Sequence, residues 1–324
     1  MAGQIRAVAA LPPIRVGVVG LGYFGSRHLR HFAAQTSAQL VGVVDSDLAR
    51  ATAAADPLGV EAFARHRDLI GKIDAVSIVV PTTHHHAIAR DFIDAGVHVL
   101  VEKPIASDAK AAADLVTRAA KAGTVLQVGH IERFAPAFSA LRKRVFAPSL
   151  IESVRRTPWS GRAADVDVVL DLMIHDIDLA LTLAGAPVVS LRASGESVVT
   201  RLNDVAEARL TFANGVVATL SASRVAEKGQ RSLFVSEPGR HLAADLSAQS
   251  LVETTRSAEG DRAQTVQLDR SDNLAAEITD FIESVRTGRK PLVDGKAGLE
   301  ALAIADEILV AIAAGHRRPK ETIQ

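Results

Sequence analysis

One glycine-rich turn constrains this chain more than any other feature. Gly20-Leu21-Gly22-Tyr23-Phe24-Gly25 follows the apolar run IRVGVV at residues 14–19 and opens a helical pattern over residues 25–34. Between a first strand and a helix, such glycines allow a tight reversal, close approach of a bound group to the backbone, and close helix–strand packing. The helix start then presents unbonded N–H groups to an anion. Asp45 ends the second apolar run 20 residues past Gly25, where a carboxylate accepts bonds from ribose hydroxyls and repels a 2′-phosphate. Turn and acid together read as a dinucleotide site that favours NAD over NADP. Gly20, Gly22, Tyr23, Phe24 and Gly25 line the phosphates, and Arg50 stands near enough to Asp45 to temper that preference.

Around this turn, short β-branched runs at 39–44, 75–80, 97–101 and 125–128 alternate with helical patterns at 45–55, 86–95 and 106–122. Strands buried on both faces read as continuous apolar runs, and strand–helix alternation implies parallel crossovers. The expectation is an α/β chain: an extension over 1–13, then a Rossmann-type doubly wound parallel sheet over 14–128. Beyond 128 the grammar changes. A strongly apolar helix at 170–184 precedes alternating runs over 188–270, with hairpin signals at Ala213-Asn214-Gly215 and Glu237-Pro238-Gly239. Helices at 274–286 and 296–313 follow. This predicts a second, α+β domain over 129–324, built on an open, mainly antiparallel sheet. An uncovered apolar sheet face rarely stays in water, so a homo-oligomer through that sheet is expected.

Composition narrows the function classes. The chain has 324 residues, room for two ordinary domains. Lys plus Arg and Asp plus Glu number 37 each, which leaves no electrostatic footprint for nucleic acid or an anionic membrane. The absence of cysteine excludes disulfides, thiolate metal sites and a cysteine nucleophile. No apolar run approaches the ~20 residues of a membrane span. Residues 1–13 hold only a short apolar run broken by Pro12 and Pro13, unlike a secretory leader; a cytoplasmic protein is expected.

The residues able to carry chemistry stand at strand ends and on one helix. Glu102-Lys103-Pro104 closes the run at 97–101, so Lys103 falls at the carboxyl edge of the sheet, where open α/β sheets bind ligands. Its amine can donate to a substrate hydroxyl or move a proton; a solvated lysine fits the pattern equally. Asp171 and His175 stand at i and i+4 on one face of a greasy helix, with Asp178 on that face and Asp176 turned away. An acid beside His175 would fix its tautomer and support an imidazolium; an interdomain anchor pair is the other reading. No metal is expected: there is no HExxH pattern, and the adjacent His84, His85 and His86 cannot converge on one ion in a regular helix. His84 and His85 read as solvated or capping, His86 as near the cofactor. Arg133 falls at the cleft between the domains. Arg155, Arg156 and Arg162 flank Pro158-Trp159 and read either as an anion site with Trp159 as a stacking surface or as an ordinary basic loop.

In their order, GLGYFG, Asp45, EKP, QVGHIERFAP and DLMIHDIDLA resemble the glucose-fructose oxidoreductase/inositol dehydrogenase/MocA-like family. The resemblance runs through the Rossmann half to about residue 184. It implies an NAD-dependent oxidoreductase of two domains, with the catalytic lysine at Lys103, the helix acid and histidine at Asp171 and His175, and cofactor contacts at Pro81, Thr82, His86 and Glu102. Some members carry a tyrosine where His175 stands. The only tyrosine here is Tyr23, so a tyrosine acid is excluded. The longer strings GHIERF-x-P and DLMIHDIDL look most like the branch acting on nucleotide sugars. That branch implies oxidation at C3 of UDP-N-acetylglucosamine to a 3-keto sugar, which a downstream aminotransferase consumes in lipid A synthesis. Arg133, Arg155, Arg156 and Arg162 would then supply cations for the pyrophosphate, with Trp159 beside them. The expected chemistry has His175, oriented by Asp171, take the hydroxyl proton while Lys103 stabilises the alkoxide, or else Lys103 acts as the base. Two rivals stand beside it: a dehydrogenase of a free polyol, inositol or aldose, and a non-catalytic NAD sensor, which would need none of the three residues.

Overall fold

The structure, a computed structural model, describes residues 12–257 and 260–316; most of the expected extension at 1–13 lies outside the described residues. The first sheet is laid down by β1 (Ile14–Val19), α1 (Gly25–Ala34), β2 (Ala38–Val44), α2 (Leu48–Ala55), β3 (Glu61–Phe63), β4 (Ala75–Ile78), α3 (His85–Asp94), β5 (His98–Glu102), α4 (Ala109–Ala122) and β6 (Leu126–Gly129). Its order is β3-β2-β1-β4-β5-β6 with every pair parallel, the doubly wound arrangement the alternation predicts. Successive strand side chains point to opposite faces. Val18 and Val43 therefore join α1 and α2 in one apolar layer, while Val19 and Val44 join α3 and α4 in the other. Asp47 and Asp108 cap α2 and α4 by accepting from the amides of Arg50 and Ala111.

The second sheet follows α5 (Pro136–Arg142) and comprises β7 (Leu150–Arg156), β8 (Val188–Glu196), β9 (Val205–Phe212), β10 (Val217–Ser223), β11 (Gln230–Glu237), β12 (Arg240–Asp245), β13 (Ser250–Ser257) and β14 (Gly260–Gln267). Its order is β14-β13-β12-β11-β7-β10-β9-β8, and only the β7–β10 pair is parallel. In β9 the alternation is plain: Ala206, Ala208, Leu210 and Phe212 are buried, whereas Glu207 and Arg209 are exposed. The helix expected at 170–184 is in fact two pieces, a π-helical turn at Val169–Met173 and α6 (Ile174–Ala184). Two further helices, α7 (Asn273–Thr287) and α8 (Gly295–His316), close the fold.

Those last helices do not stay with the second sheet. Leu274, Ile278, Phe281 and Ile282 of α7 are at most 4% exposed and pack with Val16, Val18, Leu29 and Phe32 of the first half. α8 serves both cores: Leu302 packs in the layer of α3 and α4, and Ala301, Ala305, Ile308 and Ile312 pack beneath the second sheet. Between α7 and α8, Val293 accepts a backbone bond of 3.0 Å from Val128 at the edge of β6. Among the described residues no helix is long and apolar enough to cross a membrane.

Candidate active site

The glycine turn is built as its spacing demands. Gly20 has φ +91°, and a Cβ there would collide with the Val79 carbonyl; a Cβ on Gly25 would collide with the Gly20 carbonyl. Gly22 is different: apart from its own chain neighbours, no described residue comes within 4 Å of where its Cβ would stand. Among the described residues the amides of Gly22, Tyr23 and Phe24 donate to no protein acceptor. An open cradle over free amides at a helix start suits a pyrophosphate. Asp45, 6% exposed, accepts 2.9 Å bonds from the Leu21 and Asp47 amides, and Arg50 Nη1 stands 3.3 Å away. Burial alone would raise this carboxyl, but the two amides and Arg50 outweigh it and hold it below its ordinary range. The residues therefore fit a dinucleotide: the open turn at Gly22 would hold its diphosphate and Asp45 would receive a ribose.

Lys103 sits at the carboxyl end of β5, and its bond to Pro104 is cis. The ammonium donates to the Asp171 carbonyl at 2.6 Å and approaches Asp171 Oδ1 at 3.4 Å. This corrects the expected role of Asp171: no hydrogen bond joins it to His175 among the described residues, and it holds Lys103 instead. The cause is the π-helical turn, whose wider winding breaks the i,i+4 register assumed for a regular helix. His85 supports the Lys103 turn from behind, its Nδ1 and Nε2 each 2.8 Å from the carbonyls of Pro104 and Val80. His85 is buried, not solvated. His86, expected near the cofactor, points to α4, with Nε2 2.8 Å from Asp114.

His175 lies beside this cation. Its Nδ1 is buried with no protein partner, and its ring meets the edge of His130 at 6.2 Å between centroids and 88° between planes. Burial first, and then the positive charges of Lys103 and Arg155 among others, push the His175 imidazolium well below its ordinary range. His130, at the end of β6, is 1% exposed, and neither ring nitrogen has a protein partner. Sequence reading passed over it, although its position just beyond a strand's carboxyl end is the same signal that marks Lys103.

The arginine cluster dissolves in the structure. Arg155 lies in β7 rather than on a loop and donates to Asp176 at 2.8 and 2.9 Å and to Glu132 at 2.7 Å, all three buried. Arg133 makes a bidentate pair with Asp178 at 2.7 and 2.6 Å. Arg156 points to the opposite face of β7 from Arg155, as strand alternation requires. Arg162 and the 39%-exposed Trp159 do stand on the expected loop, but the Arg162 guanidinium lies 4.6 Å from the centre of the Tyr23 ring, over the glycine turn. Pro81 and Thr82 occupy the turn after β4, as expected of the strand-end position. Glu102 faces inward: Oε1 lies 3.1 Å from His28 Nε2, and Oε2 accepts from the Lys103 amide at 3.2 Å.

Comparison with known proteins matches both halves. Residues 14–130 match the model of an oxidoreductase family with an NAD-binding Rossmann fold, and residues 139–239 match the GFO/IDH/MocA C-terminal domain. The chain is 40% identical to UDP-N-acetylglucosamine 3-dehydrogenase of Acidithiobacillus ferrooxidans over 94% of this chain and 99% of that one. A solved structure of that enzyme superposes with a TM-score of 0.91, covering 95% of this chain and all of the other. An inositol 2-dehydrogenase of Rhizobium meliloti is 30% identical over 93% of this chain and 97% of its own.

Proposed function

The chain belongs to the GFO/IDH/MocA oxidoreductase family, and from that premise we propose that it oxidises a secondary alcohol of a sugar ring, with C3 of UDP-N-acetylglucosamine as substrate and NAD preferred over NADP. The observation that carries the hydride-transfer reading is the Lys103 ammonium, held by Asp171 at the carboxyl edge of the first sheet, with the His175 imidazole within its electrostatic reach. Lys103 Nζ is fixed by Asp171 and keeps 18% of its side chain exposed, so a donor is free for a substrate oxygen. His175 is held neutral by its burial and by the cations around it, so it offers a lone pair to a hydroxyl proton. In this reading His175 takes the proton, and Lys103 stabilises the negative charge that grows on the oxygen. NAD, when bound, supplies the hydride acceptor at C4 of its nicotinamide. Asp45 receives the ribose hydroxyls, and its charge opposes a 2′-phosphate.

The substrate assignment rests on 40% identity with the Acidithiobacillus enzyme over nearly the full length of both chains. One observation favours a second reading, a free polyol or inositol. Arg133 and Arg155, two of the cations expected to meet a diphosphate, are already committed to Asp178, Asp176 and Glu132. Absorbance of the reduced cofactor separates the readings when the protein is mixed with NAD or NADP and each candidate alcohol, with a nucleotide-sugar aminotransferase and glutamate drawing the equilibrium. NADH formed from UDP-N-acetylglucosamine, and not from free N-acetylglucosamine or inositol, is the expected result. Reduction with inositol alone would discard the nucleotide-sugar assignment, and faster reduction of NADP would discard the cofactor preference.

A further inference from the structure

Behind the Lys103 turn lies a second group of ionisable side chains that the proposed reaction does not use. Glu277 of α7 is fully buried, and no hydrogen-bond donor among the described residues meets either of its carboxylate oxygens. One of its oxygens, a Glu102 oxygen and a ring nitrogen of His28 all lie within 4.8 Å of one another. The Glu102 carboxylate fills the space above Gly129, where a Cβ would stand 2.7 Å from Oε1. His28 in turn is set by Ser77 Oγ, 2.9 Å from its Nδ1. Two carboxylates thus share one pocket, Glu277 fully buried and Glu102 nearly so, and ionising both is costly unless a cation joins them.

Among the described residues no Lys or Arg side chain pairs with either carboxylate. Arg27 and Arg30 of α1 are exposed, Arg286 of α7 pairs with Glu283, the Lys103 ammonium is held by Asp171, and the buried His85 and His130 lie on the Glu102 side. From α1 comes His28; the other α1 histidine, His31, pairs with Asp272. In the turn at 131–134, Glu132 is bonded to Arg155 and Arg133 to Asp178. Arg15 of β1 pairs with Asp74, and β6 offers the neutral Gln127, whose amide donates to the Glu277 backbone carbonyl at 3.0 Å. Asp280 on the same helix pairs with Arg289 at 2.7 Å and still adds negative charge on the Glu277 side. We propose that Glu277 is a neutral carboxylic acid whose proton is shared with Glu102, and that this shared proton clamps α7 to the strand end carrying Lys103. Burial, with the charges of Glu102 and Asp280, pushes the Glu277 carboxyl well above its ordinary range, in keeping with that geometry. Glu277 is thereby a positioning residue, acting on Lys103 through Glu102, whichever alcohol the enzyme takes.

The proton has a thermodynamic signature. A carboxyl whose folded pKa is raised holds its proton more tightly folded than unfolded. Above the unfolded value, ~4.3, the unfolded chain binds fewer protons, so stability falls as pH rises toward the folded value. Glu277→Gln keeps the shape and an N–H donor for Glu102 but cannot ionise. Infrared spectra of the whole protein in D₂O should show a protonated-carboxyl band at neutral pH that Glu277→Gln removes. The variant should also lose the fall in Tm between acid and alkaline pH. Glu277→Leu, which cannot bond Glu102, should lower kcat at least tenfold with little change in KM, and Glu277→Gln should restore it. If the variants fail to fold, the band in the parent protein, followed through pH, decides alone. Absence of the band, an unchanged Tm slope in Glu277→Gln, or one tightly bound divalent metal per chain would overturn the shared proton. The infrared and Tm arms need no substrate, so they stand or fall apart from the proposed reaction.

Discussion

In the proposed reaction Lys103 and His175 divide one task between opposite electrical states. The ammonium is fixed by a carbonyl and a carboxylate from the same residue, Asp171, and the imidazole sits where a second positive charge is disfavoured. General acid–base help of this kind is worth roughly 10²–10⁴-fold. Lys103→Met and His175→Ala should each lose turnover of that order while NAD still binds, as titration of cofactor fluorescence against protein reads out. Full turnover in either variant would remove that residue from the reaction. Lys103 was legible in sequence because the end of a parallel strand is a fixed address. Its partnership with Asp171 was not, because residue spacing was read on a regular helix and the chain there winds as a π-turn. An outward His85 and a cofactor-facing His86 fail for a related reason: adjacent helical residues point about 100° apart, and nothing local says that His85 turns inward to the Pro104 and Val80 carbonyls while His86 meets Asp114.

At the scale of elements, the glycine turn separates two jobs that one motif combines. Gly20 and Gly25 are needed by the fold, since a Cβ on either meets backbone; Gly22 is needed only by what lies above it. Gly25→Ala should therefore destabilise the protein by about 1–3 kcal/mol or more through overpacking against the Gly20 carbonyl. Gly22→Ala should leave thermal stability within about 0.5 kcal/mol, as an exposed substitution does, and should weaken NAD by on the order of tenfold or more, the cost of one misplaced contact. Thermal melts beside cofactor titrations give both quantities, and equal loss of stability in the two variants would refute the separation. Other elements carried less signal. The hairpin of β9 and β10 was readable from Asn214-Gly215, where Gly215 takes φ +85°. β7 was not, because LIESVRR places arginines at its end that look like a basic loop until Asp176 and Glu132 supply buried partners for Arg155. Those partners lie distant in sequence, and a local pattern cannot reveal them.

Across the whole molecule, the change of pattern near residue 128 marks where one sheet ends, but the packing of the first half is not complete at that point. α7 completes the layer that α1 and α2 begin on one face of the first sheet, and Gly298 lets α8 lie against Val128, where a Cβ would stand 2.6 Å from that side chain. The periodicity of both helices was visible in sequence, but not which sheet they serve, since apolar faces carry no address. Burying Leu274, Ile278, Phe281 and Ile282 is worth about 1.5–3 kcal/mol each, which together rivals the ~5–15 kcal/mol stability of a whole domain. α8, shared between the two cores, ties the second sheet to the same balance. Phe281→Ala, at a side chain with no exposure in the native fold, should therefore cost about 3–5 kcal/mol. That loss should appear as faster amide exchange in β1, β4 and β5 as well as in α7, read peptide by peptide by mass spectrometry. Were α7 an accessory of the second sheet alone, exchange in the parallel strands would be unchanged and only β7–β14 would loosen. Faster exchange in both sheets together would show one cooperative unit, in which the C-terminal helices hold the cofactor turn, the Lys103 strand and the His175 helix in a single frame.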